Sequence, residues 1–127
     1  MIKKKIIYGC EEGELTDSSP YLIRYTLIER KNWQICLHIF KRSDVRVLHD
    51  HPWSFVSLIL WRGYVEETLS NRKRYWPGSL LFRDAKHVHR VELIKERSAV
   101  TLVWMGKRER QWGFHTIKGW IPWHKFC

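Results

Sequence analysis

The stretch LHDHPWSFVSLILWRG, residues 48 to 63, sets two histidines two positions apart at the mouth of a long apolar run. Side chains of a strand alternate between faces, so His49 and His51 project to one side and Asp50 to the other. Residues 54–61 are apolar on both faces, which predicts a central strand. Arg62-Gly63 then predicts a turn into a further strand over 64–69. Two imidazoles on one face can hold one metal ion, at about 2.0–2.1 Å from each nitrogen. A nucleic-acid contact and an ordinary strand end are the other readings of such a pair.

The rest of the chain has little helical periodicity and much alternation. Residues 21–29 and 33–40 read as strands joined by a hairpin turn at 30–32, and 45–48 leads into the histidine pair. Trp76-Pro77-Gly78 marks another turn, and strands follow over 79–82, 87–93, 99–104 and 112–117. Seven to nine short strands predict an all-β sandwich or barrel whose curling hides its edges. The 127 residues suit one domain, 1–127, with a sizeable core. A short N-terminal helix carries no signal of its own.

A second histidine pair decides between the readings. The stretch WPGSLLFRDAKHVHRV, residues 76 to 91, holds a Pro-Gly turn, a strand, a loop, and then His87 and His89 opening another strand. Four of the seven histidines thus fall in two pairs at strand starts, which packing alone does not explain. The pattern resembles the cupin superfamily of small double-stranded β-helix (jelly-roll) barrels. His49, His51 and Gly63 match the first cupin motif, and Gly78 and His89 match the second. The usual Glu of the first motif falls on Val56, or on its neighbour Phe55. In the second motif the inner Pro and Gly fall on Asp84 and Lys86, and the closing Asn on Leu93.

The resemblance implies a divalent ion, Fe(II) first with Zn, Ni or Mn as alternatives, held by His49, His51 and His89. Three neutral imidazoles leave its charge uncompensated, and an anionic chelating ligand supplies the balance. This is similar to the three-histidine iron site of thiol-dioxygenase cupins. Glu66 offers a replacement carboxylate ligand; its other reading is a surface residue paired with Arg72 or Lys73. His87 offers a proton shuttle or a solvated rim residue. Arg83, better placed than Arg90, is the candidate clamp for a carboxylate or phosphate. Asp50 is expected to accept a loop N–H, and His38 to be a satisfied core histidine. Trp53, Tyr64, Trp104 and Trp120 are the expected walls of a ligand pocket, with Trp123 an alternative from the aromatic tail.

The eight tryptophans predict an aromatic interior or pocket. Formal net charge is +10, and 13 of the 23 basic residues lie after Tyr64, which favours a small anionic partner. No RNP, helix-turn-helix or zinc-finger signature supports nucleic acid as that partner. No G-x-S-x-G supports a Ser–His–Asp hydrolase, and Asp50 is misplaced for an H-x-D triad. Three scattered cysteines, no apolar secretion core and no membrane-length run predict a reduced, cytoplasmic protein. The functions in competition are a non-haem metal-dependent dioxygenase and a non-catalytic module binding a small anion or nucleotide. The resemblance also implies a homodimer formed through sheet edges.

Overall fold

The computed structural model describes residues 2–7, 10–11, 14–15, 20–43 and 47–126. Its strands are β1 (Lys3–Ile7), β2 (Cys10–Glu11), β3 (Glu14–Leu15), β4 (Leu22–Glu29), β5 (Gln34–Phe40), β6 (Leu48–His49) and β7 (Phe55–Trp61). There follow β8 (Tyr64–Glu67), β9 (Arg72–Tyr75), β10 (Leu80–Arg83), β11 (Arg90–Leu93), β12 (Ala99–Met105), β13 (Gly113–Thr116) and β14 (Gly119–Pro122). A single helical turn, Trp123–Phe126, follows β14. The lead-in expected at 45–46 lies outside the described residues, as does Cys127. Where an N-terminal helix carried no signal, residues 3–7 form β1, antiparallel to β4.

Six strands form one antiparallel sheet in the order β1-β4-β5-β12-β7-β10. Facing it are two three-stranded sheets, β11-β8-β9 and β14-β13-β6. An antiparallel bridge between His49 and His89 joins these two into a second layer. The jelly-roll arrangement is therefore all-β, but among the described residues its two layers are not hydrogen-bonded into a closed barrel, and sheet edges remain.

The core follows from alternation. Leu22, Phe40, Ile59, Leu81 and Ala99 point inward from the large sheet and pack on Tyr64, Val91 and Leu93 of the second layer. Each large side chain so buried contributes about 1.5–3 kcal/mol. A second cluster, Cys36, Val103 and Met105 with Trp53 and Phe55, fills the same interior nearer the histidines. Cys36 is a free, buried thiol. The hairpin from β7 to β8 turns on Arg62 (φ 65°) and Gly63 (φ 81°). A Cβ at Gly63 would sit 2.1 Å from the Tyr75 carbonyl oxygen, so only glycine closes this turn.

β7 is central as expected, flanked by β12 and β10, but its two apolar faces have different causes. One packs into the core, and the other belongs to an uncovered outer face. There Phe82, Val56, Trp104, Ile35 and Ile28 align in one cross-strand row, and Leu80, Leu58, Leu102, Leu37 and Tyr25 in the next. Trp61, Trp76, Trp104, Trp120 and Trp123 are all 40% or more exposed, so the indoles lie largely at the surface. Arg62 and Arg74 cover two of them, 4.0 Å from the Trp61 ring centre and 3.7 Å from that of Trp76. Among the described residues no helix is long and apolar enough to cross a membrane.

A candidate metal centre

Hydrogen bonding between distant segments builds the site. His49 N donates to His89 O and His89 N to His49 O, both at 2.9 Å. Directly opposed residues of an antiparallel pair project to one face, so this bridge brings two imidazoles together across 40 positions of sequence. The third comes by alternation from His49 to His51, whose N–H is held by the Ala85 carbonyl at 3.0 Å. Ring centres lie 5.1 Å apart for His49 and His89, 5.2 Å for His49 and His51, and 4.7 Å for His51 and His89. One ring nitrogen from each lies within 4.8 Å of the others.

These donors fit a divalent ion. His51 Nε2 and His89 Nε2 face each other at 3.1 Å. Two nitrogens bound at about 2.0–2.1 Å, at angles between octahedral and tetrahedral, stand roughly 2.9–3.4 Å apart. Burial, aided by repulsion from His89, His49 and His87, lowers the His51 pKa well below the usual imidazole value. The ring is therefore neutral and has a lone pair to give. Its Nδ1 is buried and, among the described residues, meets no acceptor in good hydrogen-bonding geometry, the His87 backbone being its nearest influence. Phe55 packs against His51 at 4.7 Å and reaches His89 at 6.1 Å. Trp112 and Phe114 close over His49 at 5.9 and 6.0 Å.

Glu66, the expected replacement carboxylate, stands beside the imidazoles with both oxygens already engaged by protein groups. It is 4% exposed, on the inward face of β8. Arg83 grips both its oxygens, Nε to Oε2 at 2.9 Å and Nη2 to Oε1 at 2.6 Å. His89 Nδ1 lies 2.6 Å and His87 Nε2 3.1 Å from Oε2. Burial pushes the carboxyl pKa upward, but bonds from His87, His89 and Arg83 outweigh it and hold Glu66 far below the ordinary carboxylate range. A Glu66–His87–His89 grouping also has ligand atoms within 4.8 Å. With its oxygens committed to four donors, however, Glu66 serves to fix the His89 ring so that Nε2 faces His51. The surface reading of Glu66 is also set aside: Arg72 pairs with Glu67 and Glu92 instead.

Several expectations are corrected. Arg83 faces inward but is no free clamp, because Glu66 neutralises it and Tyr75 Oη accepts a further bond at 3.2 Å. Arg90 points to the other side and pairs with Glu67 and Glu92. Trp104 is no pocket wall: it alternates with the inward Val103 and Met105 and lies on the outer face. Trp120 is held away from the imidazoles by its Nε1, which donates to Asp50 Oδ2 at 2.9 Å. Tyr64 is core, packed on Phe40. Trp53 does lie inside, against the Cys36 cluster. Trp123 stacks on Trp112 at 6.1 Å, one ring removed from His49.

Asp50 points away from the imidazoles and accepts the Gly113 N–H at 2.8 Å, as expected. The sequence did not reveal that it also gathers Arg110 at 2.9 Å and His115 at 3.1 Å. Burial raises its pKa, but the Gly113 N–H, Arg110 and His115 prevail and lower it. This clasp ties the turn between His49 and His51 to β13. Gly113 is required there, since a Cβ would meet the Ile121 oxygen at 2.3 Å and the Trp120 ring at 2.8 Å.

Two inward-facing layers with an imidazole cluster at one end define the cupin fold, and the comparisons with solved structures agree. The chain superposes on a cupin-2 domain protein, Rru_A2000 of Rhodospirillum rubrum, with TM-score 0.71 and 10% identity over 93% of this chain and 78% of that one. It is similar to the polyketide cyclase RemF of Streptomyces resistomycificus, with TM-score 0.67 and 14% identity over 86% and 77%. It also resembles the DMSP lyase DddQ of Ruegeria pomeroyi, with TM-score 0.56 and 18% identity over 68% of this chain and 47% of that one. No family model and no curated protein matches the sequence. The fold is that of the cupins.

Proposed function

We propose that this chain is a metal-dependent cupin enzyme acting on a small anionic substrate, with His49, His51 and His89 as the ligands of a divalent ion. The observation that carries it is the pair of facing Nε2 atoms, 3.1 Å apart in a half-buried, aromatic-walled site. When bound, such an ion supplies a Lewis acid with positions open to substrate. The chain's residues supply the rest. Glu66 fixes His89, Phe55 and Trp112 exclude water, and His87 is placed to hold or move a proton at Nε2. Fe(II) and dioxygenase chemistry suit the all-imidazole set. A second reading, proton transfer without oxygen, is favoured by His87 beside the site, and cyclase and lyase neighbours support it. Cys36, free and buried, suits a reducing, cytoplasmic setting.

Elemental analysis of purified protein tests the assignment. Near-stoichiometric metal in the wild type should fall at least about tenfold in His49→Ala and in His89→Ala, the scale of lost ligation. Unchanged content in both variants overturns the site. Oxygen uptake by iron-loaded protein on adding a thiol or dicarboxylate supports the dioxygenase. Metal binding without uptake overturns that part alone.

For a partner we propose a second copy, docked through the uncovered outer face of the large sheet. From β4 to β10 the two apolar rows, with Val100, Ile39 and Ile23 in a third, contain no charged residue; on β1 at the edge, Lys4 follows Tyr25 in the second row and lies 5.9 Å from the centre of its ring. Strand spacing and rise make this face roughly 24 by 20 Å, or about 480 Å² in projection and more over its side-chain relief. That approaches the ~600–800 Å² per partner of a modest stable dimer. Sedimentation should show a dimer that Trp104→Glu and Phe82→Glu each convert to a folded monomer. A wild-type monomer, or dimeric variants, would overturn it.

A further inference from the structure

Arg24 is a cation on an inward face with no counter-charge among the described residues. It lies on the inward face of β4, in step with the core residue Leu22. Its Nε donates to His38 Nε2 at 3.0 Å, and its guanidinium lies 5.8 Å from the centre of the Trp53 ring. Among the described residues no carboxylate pairs with it. Arg83, also inward, is by contrast balanced by Glu66, as is Arg90 on the opposite face by Glu67 and Glu92. Burial lowers the Arg24 pKa, so the site disfavours the charge it holds. An uncompensated, partly buried cation is costly to retain.

The surroundings prepare this guanidinium for a ligand. His38, buried and neutral with its pKa lowered to about 3 by burial and by Arg24, holds the Nε edge. Trp53 offers its face to the plane. Among the described residues neither Nη group has a protein acceptor, and neither is a fully buried orphan. On its other side Trp53 lines a cleft of about 200 Å³ whose other walls include Arg30, Lys31, Trp33, Lys107 and Arg108; Arg24 lies behind Trp53 and is not itself one of those walls. Glu29, the acidic residue of that cleft, is engaged by Lys3 at 2.9 Å. Trp53 lies two residues from His51, and Phe55, in the same cluster, touches His51.

We propose that Arg24, held by His38 and stacked on Trp53, is the anchor for the oxyanion of the ligand, taking a carboxylate or phosphate through its two Nη groups. This deepens the anionic-substrate part of the function proposed above and transfers to Arg24 the role expected of Arg83. The neighbouring cationic cleft raises the local concentration of anions, and the fork, one ring away behind Trp53, would fix the orientation of the one it takes.

The test uses the full chain stripped of metal by a chelator, so that it stands apart from the three-histidine site. Inorganic phosphate and acetate are titrated separately at constant ionic strength, with tryptophan fluorescence and calorimetry as readouts. Saturable binding of one of them is expected with Kd at or below about 10 mM, the range of a single ion-pair anchor. Arg24→Gln should abolish it, and Arg24→Lys, which keeps the charge but loses the fork, should weaken it at least tenfold. Both variants should keep the wild-type metal content when reloaded. If Arg24→Gln fails to fold, Arg24→Lys decides. Wild-type affinity in the Arg24 variants overturns the proposal, as does wild-type protein that binds neither anion. So does binding lost only in Lys107→Gln/Arg108→Gln. Loss of metal in His89→Ala with anion binding intact would leave this anchor standing by itself.

Discussion

Acid should unfold this protein through His38. The ring is 7% exposed between β4 and β12, and its Nε2 accepts a bond from Arg24. Protonation would remove that acceptor and set a second cation against the guanidinium. Burial first, then Arg24, accordingly lowers its pKa from 6.5 to about 3. The unfolded chain takes up this proton below pH 6.5, while the folded chain does so only near pH 3. The stability from a neutral His38 is thus fully present above pH 6.5 and is lost as the pH falls, at about 1.4 kcal/mol per pH unit. Between pH 7 and pH 5 the loss from this one residue is about 2 kcal/mol, a large share of the ~5–15 kcal/mol of a typical domain. His38→Gln keeps an acceptor for Arg24 but cannot titrate. Urea unfolding of metal-free wild type and His38→Gln at pH 7, 6 and 5 should give curves whose difference changes by about 2 kcal/mol. Parallel pH profiles would refute the reasoning.

Three further outcomes follow from the geometry. Glu66→Gln strips the counter-charge from Arg83 and loosens the His89 ring; it should cost about 3–5 kcal/mol in chemical denaturation and lower metal affinity about 10–100-fold in chelator competition. Wild-type affinity would show that Glu66 does not position His89. Gly113→Ala forces a Cβ against the Ile121 carbonyl and should destabilise by at least about 1–3 kcal/mol, read as a lower melting temperature; an unchanged melt would mean that β14 yields freely. Asp50→Asn leaves the clasp without its charge and should cost about 1.5–3 kcal/mol, with the loss measurable in metal-free protein. Loss only in the metal-bound form would place Asp50's effect on ligation instead.

The strands were legible wherever one face had to be buried. Alternation marked β4, β5, β7, β8, β10, β12 and β13 to within a residue or two, because each pairs with neighbours and presents apolar residues to the core. β9, Arg72–Tyr75, was hidden because an edge strand of exposed, charged residues reads as a basic loop. β1, nearly all exposed on the other edge, was hidden in the same way.

Within the sequence lay the two H-x-H pairs, whose strand period puts His49 and His51 on one face; the choice of His89 as their companion came from the resemblance to the cupin motifs, and the structure brings the three rings together. What only the tertiary structure decided was how each charge is spent. Glu66 and Arg83 are 17 positions apart and cancel each other, whereas Arg24 meets His38 and Trp53 but no carboxylate. Strand alternation tells which face a side chain takes, but the identity of its partner depends on which strands pair and in what register. That is set by long-range hydrogen bonds such as the His49–His89 bridge, and no local pattern encodes them.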